Sequence, residues 1–360
     1  DARLTSLSAF DYLDEQLRTK LESELALISQ DLVDLVWDNH LSSGSELAVP
    51  ARRPRPDQPL QMQPLQFAGQ QSWQDKVQRL VELMQQHGAR HYVVSKLDDI
   101  AWVLNLRGAD IPMSPLFKSY LFVSLASGEQ QPSSGAPSLR PALNSVEQLL
   151  NAIELQKRGQ TQQQRPAQTQ LVTAVKLVLY VDLKKVTPSV REHLHLAANN
   201  LSSGNGAELA HLDAEQPAQS PRIQLELRDY DVFVLDFREK FASKGSLGQL
   251  RGRLLLDAQA NVAIHVLAKT HADRLVLVEP LIQRLKAVKT DSEVQGMRQA
   301  HWRDSLAIAM LLSQLERDLD GSAPARAKWT EVSAAKELEF LRSLMDHNRG
   351  QSFDTISAYG

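Results

Sequence analysis

Ten histidines and one carboxylate pair are the residues in this chain best suited to metal chemistry. His193 and His195 flank Leu194 on a predicted helix. Residues two apart point to different helix faces, so they cannot chelate one ion as an i, i+4 pair would. They read as surface histidines. His265 and His271 bracket an expected strand end with no third ligand nearby. His301 falls on a long amphipathic helix and reads as a hydrogen-bonded core or groove residue. Asp99 and Asp110 stand eleven residues apart, a spacing that some two-metal hydrolases use for a bridging pair. Such a site needs further carboxylates, and usually a histidine, in the same cavity. No His or Glu motif follows this pair, so the spacing reads as coincidence. The patterns G-x-S-x-G, H-E-x-x-H, Walker A and G-x-G-x-x-G do not occur. On its residues alone the chain shows no competent active site.

Composition narrows the class. The 360 residues carry a net charge of -3, with 42% hydrophobic and 23% charged side chains. This balance suits soluble globular protein, and the length favours two or more domains. No global basic field exists to attract nucleic acid. The one local cluster, Arg52, Arg53 and Arg55 among prolines, reads as a solvated linker. With no cysteine, a disulfide scaffold, a zinc ribbon and a thiol nucleophile are excluded. A cytosolic, cytoplasmic chain is compatible with that. No apolar run approaches the ~20 residues of a membrane span. Asp1 to Thr5 resemble neither a signal nor a transit peptide and include no initiator Met, as though cut from something longer.

The elements follow from periodicity. Residues 10–29 are expected as one amphipathic helix, with an apolar segment from Asp31 to Trp37 behind it. A Ser-, Pro-, Arg- and Gln-rich tract from His40 to Phe67 reads as a linker. Ser72 is a plausible N-cap for a helix through Val77, Leu80 and Met84. Strands are expected at Tyr92–Val94, Ile100–Leu106, Tyr120–Leu125, Val175–Val181, Val232–Phe237, Arg253–Leu256, Val262–Leu267 and Leu275–Val278. A polar stretch, 126–174, reads as a surface insertion flexible at both ends. A helix is expected over Pro188–Ala198. Strands alternating with helices predict an α/β domain with a mixed sheet. Thr290 and Glu293 form a predicted capping box before a long helix with Met297, Ile308, Leu312, Leu315 and Leu319 on its apolar face. A second helix should run from Thr330 to Met345, and Ser352–Ser357 reads as a strand entering a new sheet.

Two stretches carry a resemblance. Leu97-Asp98-Asp99-Ile100-Ala101-Trp102-Val103-Leu104-Asn105-Leu106-Arg107-Gly108-Ala109-Asp110-Ile111-Pro112, with Ser119-Tyr120 beyond, resembles the middle domain of long-form, eukaryotic-type aminopeptidase P of the creatinase family. Lys286 to Glu293, Gly296 to His301 and Asp304 to Ala307 are similar to the helix that opens the pita-bread catalytic domain of that family. Thr330 to Ala335 and Phe353 to Ser357 match what comes next there. Departures are Met113, Lys118 and the insertion.

The resemblance implies a creatinase/prolidase N-terminal-type α/β domain with a mixed sheet and flanking helices, followed by the first helices of a pita-bread domain. Its divisions would be a remnant of a first domain at 1–40, a linker at 41–68, the middle domain at 69–285 and the start of the catalytic domain at 286–360. It also implies a parent enzyme that releases the residue before proline from peptides, with two divalent ions, usually manganese, sharing a water. The ions would be held by two Asp, one His and two Glu that lie after the strand ending here, so no metal pair is expected in this segment. The parent is expected as a homodimer and the segment as a monomer, with no nucleic-acid or membrane partner. The other reading is a non-catalytic pita-bread homologue that binds proteins, as some histone chaperones do. Two substrate-binding candidates follow. Arg107 would present a cation beyond a buried run, either toward a cleft or, the favoured reading, in a structural pair with Asp98, Asp99 or Asp110. Phe353 aligns with a position lining the substrate site, with ordinary core packing equally open.

Overall fold

A computed structural model describes residues 5–23, 25, 54–127, 172–194, 208–211, 221–242, 252–271, 274–320 and 328–358. Its strands are β1 (Gln61–Met62), β2 (His91–Val94), β3 (Leu106–Arg107), β4 (Ser119–Ser127), β5 (Val172–Val181), β6 (Glu208–His211), β7 (Arg222–Arg228), β8 (Leu254–Asp257) and β9 (Leu275–Val278). Seven of them form one mixed sheet in the order β6-β7-β5-β4-β2-β8-β9. The β2–β8, β8–β9 and β5–β7 pairs are parallel, and β2–β4, β4–β5 and β6–β7 are antiparallel. Every residue of β2 and β8 is buried, the pattern of strands covered on both faces.

The helices are α1 (Leu7–Leu21), α2 (Trp73–Gln86), α3 (Leu97–Val103), α4 (Pro188–His193), α5 (Phe233–Ala242), α6 (Val262–His271), α7 (Leu281–Ala287), α8 (Asp291–Leu319) and α9 (Glu331–Ser343). Trp73, Val77, Leu80 and Met84 of α2 and Ile100 and Val103 of α3 pack on one face of the sheet. Phe233 and Phe237 of α5 and Ile264, Leu267 and Ala268 of α6 cover the other. Each buried Val, Leu, Ile, Phe or Met side chain among them contributes roughly 1.5–3 kcal/mol by leaving water.

Three expected strands are helices instead. Leu97–Val103 is α3, and only Leu106 and Arg107 of that run are extended. Asp98 and Asp99 sit in its first turn, where carboxylates favour a helix N-terminus. Ile100, Ala101, Val103 and Leu104 are all buried, and a short run buried on several sides has no period to read. Val232–Phe237 is a 3-10 turn leading into α5. The Asp229 side chain accepts from Asp231 N at the start of that turn, and Phe233 and Phe237 meet at helical spacing. Val262–Leu267 lies in α6, where Asn261 Oδ1 accepts from Ile264 N at 3.0 Å. The expected strand Val175–Val181 does form, inside β5.

Other boundaries shift. The first helix is α1 rather than 10–29, and it is clipped to the β8–α6 turn by Leu7 N to Ala260 O and Val262 N to Thr5 O, both 3.0 Å. The segment 31–37 lies outside the described residues. Within the expected linker, Leu60 is buried and β1 pairs with β3, so 60–67 belong to the packed domain. Ala126 pairs with Ala174 in the β4–β5 ladder, so the ends of the expected insertion are sheet; 128–171 lies outside the described residues. Helix α4 ends at His193, short of Ala198. Ser352–Ser357 has no regular structure, and among the described residues no strand lies beside it to pair with.

Helices α8 and α9 pack on each other through Ala307, Leu311 and Leu341. Of the expected apolar face, Leu315 packs against this cluster, whereas Met297, Ile308, Leu312 and Leu319 are exposed, as are Trp302 and Leu306 on the other side.

Candidate functional site

The turn after α3 is built by a left-handed residue. Asn105 has φ +54°, a conformation that Asn tolerates better than most side chains. Its Oδ1 accepts from Lys76 Nζ at 2.6 Å, and its Nδ2 donates to Gln71 O at 2.9 Å. Lys76 also donates to Trp102 O at 3.1 Å and stands 4.3 Å from the centre of the Trp102 ring. The amine is fully buried, and burial pulls its pKa down to about 8, with Glu293 pulling the other way.

Arg107 follows in β3, opposite Gln61 of β1. Its Nη1 donates to Ala101 O at 3.1 Å and to Leu106 O at 2.8 Å. The expected structural pair is thus corrected: Lys286 holds Asp98 and Asp99, and Lys185 holds Asp110. Carbonyls, not carboxylates, anchor the guanidinium, and burial lowers its pKa. Gly108 N then donates to Pro115 O at 3.1 Å, closing the turn against Phe117.

Phe353 lies elsewhere. It is exposed and lines a groove of about 930 Å³ between α8, α9 and the segment 346–356, with His301, Arg342, Met345 and Ile356. Arg107 does not line this groove. A Phe67–His347 ring contact at 5.5 Å joins the groove's segment to the β1 side of the sheet domain. His301 is an exposed groove residue, not a core one. Asp304 is held by both Nε and Nη2 of Arg342, at 2.6 and 3.1 Å.

The other histidines fall differently from expectation. His193 is half-buried, and its Nε2 donates to Leu104 O at 2.9 Å, so it is not a surface residue. His195 lies outside the described residues. His265 is on α6 rather than at a strand end, and burial lowers its pKa.

Among the described residues no three His, Asp or Glu side chains converge. Asp98, Asp99, Asp110, Asp257, Asp304 and Asp318 each have a cation within salt-bridge distance. Paired with these cations, the carboxylates do not fit a two-metal centre.

Sequence reasoning missed Lys76. One signal was available: Lys76 shares a helical stripe with Trp73, Val77 and Leu80, where a cation is out of place unless paired. A prediction follows. Its folded pKa lies below the unfolded value of 10.5, so between about 8 and that value the unfolded chain binds more protons. Stability relative to Lys76→Met should therefore rise as pH climbs through that window. Urea midpoints at pH 7, 8, 9 and 10 for both proteins test it; a constant difference would show that Lys76 titrates normally.

Residues 51–131 match the family described as Creatinase/Prolidase N-terminal domain. The whole chain aligns at 28% identity with a "Probable Xaa-Pro aminopeptidase P" of Pyricularia oryzae and with another of Aspergillus niger, spanning 44% of each. It thus covers less than half the length of these relatives. The fold aligns over 99% of the chain with X-prolyl aminopeptidase from Caenorhabditis elegans, described as a cytosolic enzyme with a di-nuclear active site, at a TM-score of 0.67 and 23% identity, covering 43% of that protein. No described helix is long and apolar enough to cross a membrane. The sheet domain that presents the Asn105–Gly108 turn thus carries a match to the creatinase/prolidase N-terminal domain, in a chain similar along its whole length to Xaa-Pro aminopeptidases P.

Proposed function

We propose that this chain is the leading part of a metal-dependent aminopeptidase that releases the N-terminal residue from Xaa-Pro peptides. It supplies a creatinase-like middle domain and, from about 286, the opening helices of a catalytic domain. The observation that carries this reading is the end-to-end similarity to relatives of that name. The divisions proposed are a first-domain remnant at 1–40, a linker ending before Leu60, the sheet domain up to 285, and α8 with α9 beyond. The parent binds two divalent ions, manganese in our reading, and works in the cytoplasm as a homodimer. Among the described residues no ligand set for those ions comes together.

The experiment compares this chain with its full-length parent. The parent should release the first residue of an Xaa-Pro peptide in manganese and lose that activity to a chelator, whereas residues 1–360 should show neither turnover nor tight binding of two ions by calorimetry. A full-length parent that binds no metal and cleaves nothing would favour a protein-binding homologue instead.

Within that reading Arg107 and Phe353 contact substrate. Arg107 keeps N–H donors beyond the Nη1 contacts, and a guanidinium suits a peptide carboxylate. Arg107→Met in the parent should raise KM several-fold with little change in kcat. A lowered melting temperature with unchanged kinetics would assign Arg107 to the fold alone.

A further inference from the structure

We propose that Lys286 is a latch that sets the angle between the sheet domain and the long helix α8. Helix α7 is seated on the sheet domain by Leu281 and Ile282, both fully buried. Lys286 lies in its last turn and reaches back to the first turn of α3, where its ammonium bridges Asp98 and Asp99, the latter at 2.8 Å. Only Val288, Lys289 and Thr290 separate α7 from α8, and Lys289 donates to the Lys286 carbonyl. A fixed α7 terminus therefore fixes the start of α8.

The opposite side of that start is pinned by close approach. A Cβ on Gly69 would lie 3.0 Å from Thr290 Oγ1 and 3.1 Å from the Glu293 carboxyl carbon. Beyond these first residues, α8 turns exposed apolar side chains outward, and its buried residues pack against α9. The helix has 29 residues. It is thus about 43 Å long, and a 10° change at its start moves its far end by roughly 7 Å. These contacts lie at the same end of the hairpin as the Phe67–His347 ring contact, so what holds this end decides where α8 and α9 point.

Asp99 makes the latch specific. It is 1% exposed, and its Oδ2 has no partner among the described residues. Lys286 is the cation held against this carboxylate, so without it a buried charge is left uncompensated. Asp98, half exposed, gives the ammonium a second seat. This inference concerns the geometry of the helix and stands whether or not the parent is an aminopeptidase.

The chain has no cysteine, so two can be introduced cleanly. Spin labels at Gln86→Cys on α2 and Ser313→Cys on α8, both exposed positions, report the angle as a distance. With Lys286 present the distribution should be narrow. Lys286→Met should broaden it or shift it by several ångströms, and Asp98→Asn, which removes only the exposed seat, should broaden it partly. Leu179→Ala, a core variant in β5, should lower the melting temperature and leave the distribution narrow. If Lys286→Met fails to fold, the Asp98→Asn result decides. A distribution unchanged in Lys286→Met, or unchanged in Asp98→Asn where that variant decides, overturns the proposal.

Discussion

Lys185→Met is expected to cost about 3–5 kcal/mol of folding stability, and Asp110→Asn combined with it should recover most of that loss. Lys185 Nζ and Asp110 Oδ1 are 2.6 Å apart, with both side chains almost wholly buried. The other oxygen, Oδ2, accepts from Lys118 N at 2.8 Å. Both carboxylate oxygens are thus committed, one to a cation and one to the backbone of the loop that follows the Asn105–Gly108 turn. Removing the lysine alone leaves a charge with no solvent and no counter-ion. Asn at 110 removes that charge and still accepts from Lys118 N, which is why the double variant should be mild. Urea denaturation of the two single variants and the double variant gives the coupling directly. A loss below about 1 kcal/mol for Lys185→Met would mean water reaches the pair, the regime of exposed ion pairs.

What the sequence made legible was mostly local. Ser72 with Asp75 and Thr290 with Glu293 are capping boxes in the structure, and both helices begin where those residues place them. Strand β5 was legible because seven apolar-rich residues with β-branching stood between polar flanks. Ile100–Leu106 was not, because its α-helical register is imposed by burial on several sides and by Asn105 turning the chain at φ +54°. Propensity is weak where tertiary packing decides. Arg107 stood out in the sequence as a cation beyond a buried run, but the identity of its acceptors was not accessible. The carboxylates near it in sequence are claimed by Lys286 and Lys185, 187 and 75 positions away from Asp99 and Asp110. The apolar face of α8 was legible as a face, but its partner was not, since the described residues leave it uncovered.

Gly108→Ala should destabilise the protein by about 2–3 kcal/mol, the upper part of the range for overpacking a full site. An added Cβ would lie 2.6 Å from Phe117 Cβ, 3.2 Å from Leu116 O and 3.3 Å from Leu60 Cδ2. None of these neighbours is free to yield. Phe117 and Leu60 are buried in the main core, and Leu116 O accepts from Asp110 N at 2.9 Å. Asp110 is itself held by Lys185, so the methyl group presses on a loop already fixed at its far end. The same substitution at Gly296 makes the control. That residue lies inside α8 with nothing within 4 Å of its added Cβ, so Gly296→Ala should stabilise by roughly 0.5–1 kcal/mol through helix propensity. Thermal or urea unfolding of both variants reads the two signs in one protein. On the proposed reading of Arg107 as a substrate contact, Gly108→Ala in the full-length parent should also raise KM, because the backbone of Arg107 is carried by the same turn. Wild-type stability in Gly108→Ala would show that the 108–117 loop relaxes freely, and the close packing behind the Asn105–Gly108 turn would then not be what sets its shape.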